Sequence, residues 1–376
     1  MFPCIYILIV LIMNKSETKI YYLYILISFI FITTTTVYLS LYDIIYVANQ
    51  MDVWSYREIA ISAPTLPKEN PAIIQNVAQR FLIHYLIGSF SSILKIDLFL
   101  IYKFFTFAFI ILYIFIINFL REYFKFNLKE SILFFSLLFL NPYIVRYHIF
   151  NAASPHDMLF FCVGLIFVYT ILNKNYFTNI LITTFSLYLR QTSIALFIGS
   201  SIFFIVKRKI KLFLILLILY FLSLFIVIKV GELISTDNFP INLAYKIIFF
   251  DFSQIDKLIR FLLLPLVSFF PLFIVFFGKI KKGIDTQDTF IILFVCIMMV
   301  GQPILGGPDG SVNNVGRIAN FCYPILTILC FYVFNFENIL KNTYLYLCII
   351  VSLFAWSLHP TFSIYDIFGF LRFYHY

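Results

Sequence analysis

Long apolar segments recur along this chain, and they constrain its fold more than any other feature. Residues 212–228, LFLILLILYFLSLFIVI, contain no charged side chain, and about 20 mainly apolar residues allow a helix to cross a bilayer. Because backbone amides in hydrocarbon need internal hydrogen-bond partners, a spanning segment is either a helix or a strand of a closed barrel. The apolar runs are continuous rather than alternating, which favours helices. The sequence therefore predicts an all-α, polytopic transmembrane helix bundle.

The apolar runs divide one integral membrane domain, residues 1–376, into about 10–12 spans. Residues 1–13 are apolar but too short to span, and we expect the native chain to start at Met13. The predicted spans lie near residues 20–42, 97–120, 130–142, 157–173, 176–189, 192–206, 212–230, 258–277, 289–305, 318–335 and 343–358.

Composition excludes several classes of protein. Hydrophobic residues make up 62% of the chain and charged residues 12%, whereas soluble domains have roughly 45–50% apolar residues. The net charge of +9 is scattered between spans, which indicates membrane lipids rather than nucleic acid as partners. The six cysteines lie in apolar runs without a C-x-x-C pair, so no disulfide framework is predicted. The absence of a P-loop sequence argues against a nucleotide-driven motor.

Lysines set the predicted topology. Lys15 and Lys19 precede the first span, so the positive-inside rule places the N-terminus in the cytoplasm. Extracytoplasmic loops are then predicted at residues 43–96, 231–257 and 306–317, and most lysines fall on the cytoplasmic side.

The first outer loop, residues 43–96, is the densest polar segment. Residues 51–62 have helical spacing, and a proline-rich stretch ends that helix. Residues 79–94 are amphipathic, and we predict a second surface helix there. If residues 79–94 formed a span instead, the later lysine clusters would move to the outer face, against the positive-inside rule.

Arginines show the opposite distribution to lysines. The guanidinium group offers a planar fork for phosphate oxygens and stays charged when partly buried. This distribution predicts an anionic, phosphate-bearing ligand at the outer face, where all five histidines also fall. The arginines predicted there are Arg57, Arg80, Arg146, Arg190, Arg260, Arg317 and Arg372.

Asp52 is the first candidate for chemistry. It opens the pattern D-x-x-x-Y-x-x-I-A, which runs from Asp52 through Tyr56 to Ala60. A carboxylate at the membrane rim can act as general base for an incoming hydroxyl. Aspartate is also a favoured residue at the start of a helix, so the sequence leaves both interpretations open.

Three arginines are candidate phosphate ligands. Arg80 begins the second surface helix, where it can also extend to lipid headgroups. Arg190 separates two apolar runs that are barely long enough to span, and a charge at such depth usually faces a polar cavity. Arg317 follows a glycine-rich loop, which lets backbone approach a ligand closely; the alternative is an interfacial anchor.

His156 and Asp157 open the span predicted at 157–173 in the sequence S-P-H-D. Asp157 can contact substrate or cap the helix, and His156 can carry a proton or be structural. A metal site with His148 is not indicated, because the spacing matches no recognised ligand set. We therefore predict no metal and no other cofactor.

These residues in this order resemble the C-type, integral-membrane glycosyltransferase superfamily, whose members take sugars from polyprenyl-phosphate carriers at the outer face. The resemblance covers most of residues 20–335. The matching features are the Asp52 pattern, a P-x-x-P-x-x-N-P stretch, an arginine opening a surface helix and an aspartate at the outer start of the fourth span. Two further matching features are a basic residue between two short spans and a late outer arginine before a proline-containing span. The residues of all these features are Asp52 to Ala60, Pro64, Pro67, Asn70, Pro71, Arg80, Asp157, Arg190, Arg317 and Pro324.

The resemblance implies a role for each site residue. Asp52 would activate the acceptor, while Arg80, Arg190 and Arg317 would stabilise the leaving phosphate, with the remaining candidates Tyr56, His156 and Asp157 near the substrate. Val53 follows Asp52 where many relatives have a second acidic residue, which puts metal dependence in doubt. The large soluble C-terminal domain of some relatives does not follow the last span, which puts a protein acceptor in doubt.

These features predict a glycosyltransferase of the bacterial inner membrane. It would move a sugar from a lipid-linked donor to a glycan or lipid acceptor on the extracytoplasmic face. A polymerase of lipid-linked polysaccharide repeats, of the O-antigen type, is a related alternative. A transporter or flippase of lipid-linked glycans is a different one, and the lack of a sequence repeat counts against it.

Overall fold

The computed structural model describes residues 16–38, 51–150, 152–236, 269–305 and 320–358. Within these residues the chain is almost entirely helical, as predicted, and its single ladder pairs β1 (Lys279–Ile280) with β2 (Phe334–Asn335). The helices are α1 (Ser16–Tyr38), α2 (Met51–Ser62), α3 (Gln75–Ala78), α4 (Phe81–Leu94), α5 (Leu98–Tyr123), α6 (Leu128–Phe139), α7 (Tyr147–Phe150), α8 (Pro155–Leu172), α9 (Tyr176–Ser186), α10 (Ser193–Val206), α11 (Ile210–Ile234), α12 (Thr286–Leu305), α13 (Tyr323–Val333), α14 (Glu337–Lys341) and α15 (Thr343–Ser357).

Four of the described helices are long and apolar enough to cross a membrane: α1, α5, α8 and α11. Helix α6 and the segment Pro142–Ile149 form a further pair with a bend of 44° between them. If this pair is one span, five described segments can cross a membrane. The chain is thus a multi-pass membrane protein by the length and composition of its helices. The spans predicted at 192–206, 289–305, 318–335 and 343–358 correspond to apolar helices of 10–17 residues, Ser193–Val206, Thr286–Gly301, Asn320–Val333 and Thr343–Ser357. The span predicted at 176–189 corresponds to α9, which has 11 residues. All of these are shorter than the usual 20 or so.

Helix α8 lies at the centre of the bundle. In α8, 78% of the segment that could span a membrane is buried inside the protein, compared with 22% in α11. Helix α8 packs against α5, α9 and α13. A helix that is apolar on every side is expected to occupy such a position. Its N-terminal end therefore places polar residues inside the protein rather than at the lipid surface.

The lysine-bearing turns meet at the C-terminal end of α8. Lys129 Nζ donates a hydrogen bond to the Leu340 carbonyl at 2.8 Å, and Lys207 Nζ lies 3.1 Å from Asp285 and 2.9 Å from Asp288. Burial alone would lower the pKa of Lys207, but its hydrogen bonds to Asp288 and Asp285 outweigh that effect and raise it. The lysine-bearing turns, which the sequence predicts on one side of the membrane, thus lie at the same end of the bundle.

The segment after α2 is tied to the end of α11. Helix α2 covers residues 51–62 as predicted, and the proline-rich stretch after it is not helical. The Asn70 amide donates to the Ile234 carbonyl at 2.8 Å. Helix α11 runs to Ile234, so its last turn overlaps the start of the predicted second outer loop, 231–257. Residues 237–257 lie outside the described part of the chain.

Helices α2 and α4 cross in very close contact at Gly88. A Cβ atom added to Gly88 would lie 1.9 Å from the backbone oxygen of Ala60. Backbone cannot move aside as a flexible side chain can, so any larger residue at Gly88 must push α2 away from α4. The crossing matters because both helices carry candidate site residues.

Replacing Gly88 with alanine is expected to destabilise the protein by about 1–3 kcal/mol through overpacking. The denaturant midpoint of the detergent-solubilised protein measures this effect. Gly301→Ala, also in a helix, is the matched control, because a Cβ atom there meets no described atom within 4 Å. An equal or smaller loss of stability in Gly88→Ala than in the control would contradict the close crossing.

Candidate functional site

Polar side chains from four elements converge at the N-terminal end of α8. Helix α8 starts with Pro155, a residue favoured in the first helical turn, and so brings His156 and Asp157 into its first turn. The chain between α9 and α10 supplies Arg190, while α2 and the start of α4 supply Tyr56 and Arg80. All five side chains are buried. They form a hydrogen-bonded cluster that we call the α8 cluster, whose further members are His84, Tyr102 and Gln191.

Asp157 and Arg190 form the strongest pair in the α8 cluster. Arg190 Nε lies 2.5 Å from Asp157 Oδ1, and Arg190 Nη2 lies 2.7 Å from Oδ2, a bidentate geometry. The Arg190 guanidinium also sits over the Phe321 ring, 4.7 Å from its centroid. Helix capping is therefore not the main interaction of the Asp157 carboxylate, which instead holds the break between α9 and α10 against α8.

Arg80 joins α2 to the break between α9 and α10. Its Nη1 donates to the Tyr56 hydroxyl at 2.9 Å, and its Nε donates to Gln191 Oε1 at 3.0 Å. Gln191 Nε2 in turn donates to Gln79 Oε1 at 3.1 Å. Because Gln191 is exposed, the hydrogen-bonded cluster reaches the protein surface at Gln191, and Arg80 is the next residue inward.

Two histidines connect Tyr56 to α5. His156 Nε2 lies 3.2 Å from the Tyr56 hydroxyl, and His156 Nδ1 lies 3.1 Å from His84 Nε2. His84 Nδ1 contacts the Tyr102 hydroxyl at 2.9 Å, and the His84 ring stacks on Tyr56 with 4.0 Å between centroids. Burial, together with the neighbouring His156, lowers the pKa of His84 well below its ordinary value, so His84 is neutral near pH 7.

The structure brings together five of the residues singled out in the sequence: Tyr56, Arg80, His156, Asp157 and Arg190. The backbone of Asp52 lies in α2, one turn before Tyr56, and its side chain is outside the described part of the chain. Arg317 also lies outside the described residues.

Two residues considered with the site lie elsewhere. His148 Nδ1 contacts the Ile144 carbonyl at 2.6 Å. Arg146 is fully buried and donates to Thr36 Oγ1 at 3.0 Å. Among the described residues no group of three His, Cys, Asp or Glu side chains is placed to hold a metal.

Three members of the cluster were missed in the sequence. His84 follows Arg80 by four residues, so the two side chains share one face of α4; this spacing was a usable signal. Gln191 follows Arg190 directly, and its neutral amide gave no reason to select it. Tyr102 is one of 26 tyrosines and lies in an apolar run, so nothing in the sequence distinguishes it.

In comparison with known proteins, no family model, no curated protein and no solved structure matches the chain. The chemistry must therefore be inferred from the cluster itself. Two guanidinium groups and a phenol at the start of a helix form a set of donors suited to an anion. The carboxylate of Asp157 orients one of these guanidinium groups.

Proposed function

We propose that the chain is a membrane glycosyltransferase that takes a sugar from a polyprenyl-phosphate-linked donor. The observation that carries the proposal is the convergence of Arg80 and Arg190 at the N-terminal end of α8, on the side of the bundle where α2 begins. Fixed, buried guanidinium groups need no reorganisation when a phosphate leaves, and such electrostatic stabilisation usually contributes more to catalysis than any other effect. Asp52 would supply the base, one turn from Tyr56.

The reaction has one bond-forming and one bond-breaking step. The acceptor hydroxyl oxygen attacks the anomeric carbon of the donor sugar, and the Asp52 carboxylate takes the hydroxyl proton. The bond between that carbon and the phosphate oxygen breaks, and polyprenyl phosphate leaves with the electron pair. Arg80 and Arg190 stabilise the charge that develops on the phosphate, and the configuration at the anomeric carbon is inverted.

We further propose that the α8 cluster faces the outside of a bacterial inner membrane. Helix α8 has 18 residues and is thus about 27 Å long, which separates the cluster from the lysine-bearing turns by nearly one hydrocarbon core. The positive-inside rule puts those turns in the cytoplasm. In this arrangement α2 and α4 are surface helices, and the shorter apolar helices complete about 10–12 spans.

A transfer assay tests this function whichever sugar the donor carries. The full chain is reconstituted in phospholipid vesicles with a panel of hexosyl-phosphoryl-polyprenols labelled in the lipid, together with a mixture of glycolipids and oligosaccharides that supplies the acceptor hydroxyl. Every donor of this class releases the same product, polyprenyl phosphate. We expect at least one donor to yield it in a time-dependent manner, only when the protein is present.

The same vesicles distinguish a transferase from a flippase. A flippase would move the labelled lipid between leaflets while its phosphate–sugar bond stays intact. A transferase should cleave that bond whether or not the lipid changes leaflet. Transbilayer movement without release of polyprenyl phosphate from any donor would reject the transferase and favour the transporter.

A further inference from the structure

The hydrogen bonds around the two histidines run in one direction, and Tyr102 sets it. The Tyr102 hydroxyl donates to the backbone oxygen of Tyr56 at 3.2 Å, so its own oxygen accepts the hydrogen of His84 Nδ1. A neutral imidazole carries one hydrogen only, so His84 Nε2 is an acceptor. His156 Nδ1 must then be the donor across the 3.1 Å contact. In the neutral pair, His156 Nε2 is left as an acceptor.

His156 Nε2 faces two groups with opposite requirements. The Tyr56 hydroxyl oxygen already accepts from Arg80, so its hydrogen is directed at Nε2, 3.2 Å away. Asp157 Oδ1 lies 3.1 Å from the same nitrogen and can only accept. A neutral Nε2 therefore accepts from Tyr56, whereas a protonated Nε2 donates to Asp157. One added proton on Nε2 therefore ends the hydrogen bond that this nitrogen accepts from the Tyr56 hydroxyl.

Burial and nearby charges decide which state of His156 is populated. Burial of the imidazole opposes the proton most, and the two arginines add to that opposition, whereas the Asp157 carboxylate favours the proton. Because burial and both arginines act against one carboxylate, the neutral pair is the ligand-free state. A bound anion beside Arg80 would add negative charge and shift the balance towards the proton. Among the described residues, the titratable and charged groups in this network around His156 are Tyr56, Arg80, His84, Tyr102, Asp157 and Arg190.

We propose that the α8 cluster takes up one proton together with its anionic ligand. The proton binds to His156 Nε2, the imidazolium donates to Asp157, and the Tyr56 hydroxyl turns to donate to a phosphate oxygen of the ligand. His84 and Tyr102 act as positioning residues that hold His156 in the required tautomer. The identity of the ligand as a lipid-linked phosphate rests on the proposed function, while the proton uptake rests on the hydrogen-bond geometry.

The test uses farnesyl methyl phosphate, a phosphodiester whose single negative charge does not change near neutral pH. Calorimetric titration of the full chain in detergent, in two buffers with different ionisation enthalpies, counts the protons taken up on binding. We expect about one proton, and an affinity that falls by up to about tenfold for each unit of rising pH, as linkage to one proton requires. The charge of the probe is constant, so the pH dependence belongs to the protein.

Two variants locate the proton. His156→Gln keeps a polar group near Tyr56 and Asp157 but cannot titrate, and His84→Asn removes the contact that sets the tautomer; both should abolish the uptake. His148→Gln replaces another buried histidine, bonded to the Ile144 carbonyl, and should leave the uptake unchanged. Circular dichroism verifies that each variant is folded.

The outcomes separate this inference from the proposed function. Binding of the probe without proton uptake by the unsubstituted protein overturns the inference and leaves the transferase standing. Uptake that persists in both His156→Gln and His84→Asn also overturns it. Absence of any binding removes the phosphate site and the inference together, whereas proton uptake without any sugar transfer would keep the inference and reject the transferase.

Discussion

Replacing Arg190 with methionine should lower the free energy of unfolding by about 3–5 kcal/mol, because it removes one partner of a buried ion pair. Methionine keeps much of the volume of arginine but has no charge. Asp157 is fully buried, and it would lose both bonds of the bidentate pair and the charge that neutralises its carboxylate. Denaturant titration of the protein in detergent, followed by circular dichroism, measures the change.

A double-substitution cycle separates the pair from its surroundings. Asp157→Leu with Arg190→Met removes both charges and should recover most of the stability lost in either single variant, since an apolar replacement of a buried pair is often neutral. Lys229→Met is the matched control, because Lys229 and Glu232 form an ion pair on the exposed surface of α11; it should cost less than about 1 kcal/mol. Additive losses in the double variant would contradict a coupled pair.

Most helices could be predicted from the sequence, because hydrophobic runs and their breaks are local signals. Residues 97–120 and 157–173 correspond to α5 and α8, and the break at Arg190 lies between α9 and α10 as predicted. The number of spans does not follow from length alone, because a run interrupted by polar residues becomes two short helices. The pairing of β1 with β2 joins residues far apart in the chain, and two-residue strands leave no alternating pattern to detect.

The charged members of the candidate site were predicted from the sequence, as were Tyr56 and His156, whereas His84, Tyr102 and Gln191 were not. A charge between apolar runs is costly, so Arg190 and Asp157 stand out against their surroundings in the sequence. The ion pair between them could not be predicted, because it depends on how α8 packs beside the break after α9. The role of His84 likewise emerges only when the Gly88 crossing brings α4 against α2 and places the His84 ring on Tyr56.

Asp52→Asn should reduce the rate of sugar transfer by about 10²–10⁴-fold, the usual contribution of a general base. Asparagine has nearly the shape of aspartate but cannot take the acceptor proton. Asp52 is the second residue of α2, so asparagine should cost the helix only the favourable interaction of a negative charge with its N-terminal end, about 0.3–1 kcal/mol. The binding of polyprenyl phosphate should be almost unchanged, because in the proposed site Arg80 and Arg190 hold the phosphate. Transfer in vesicles and calorimetric binding in detergent measure the two effects separately.

Asp97→Asn is the matched control for this substitution. Asp97 caps α5 by accepting the Leu100 amide at 3.2 Å, and asparagine caps a helix as well as aspartate does, so transfer should continue at the original rate. Full activity in Asp52→Asn would remove Asp52 from the reaction, and equal losses in both variants would point to a general effect of lost negative charge. A loss confined to Asp52→Asn, with polyprenyl phosphate still bound, distinguishes a base from a residue that only stabilises α2, because a structural role would weaken binding as well as turnover.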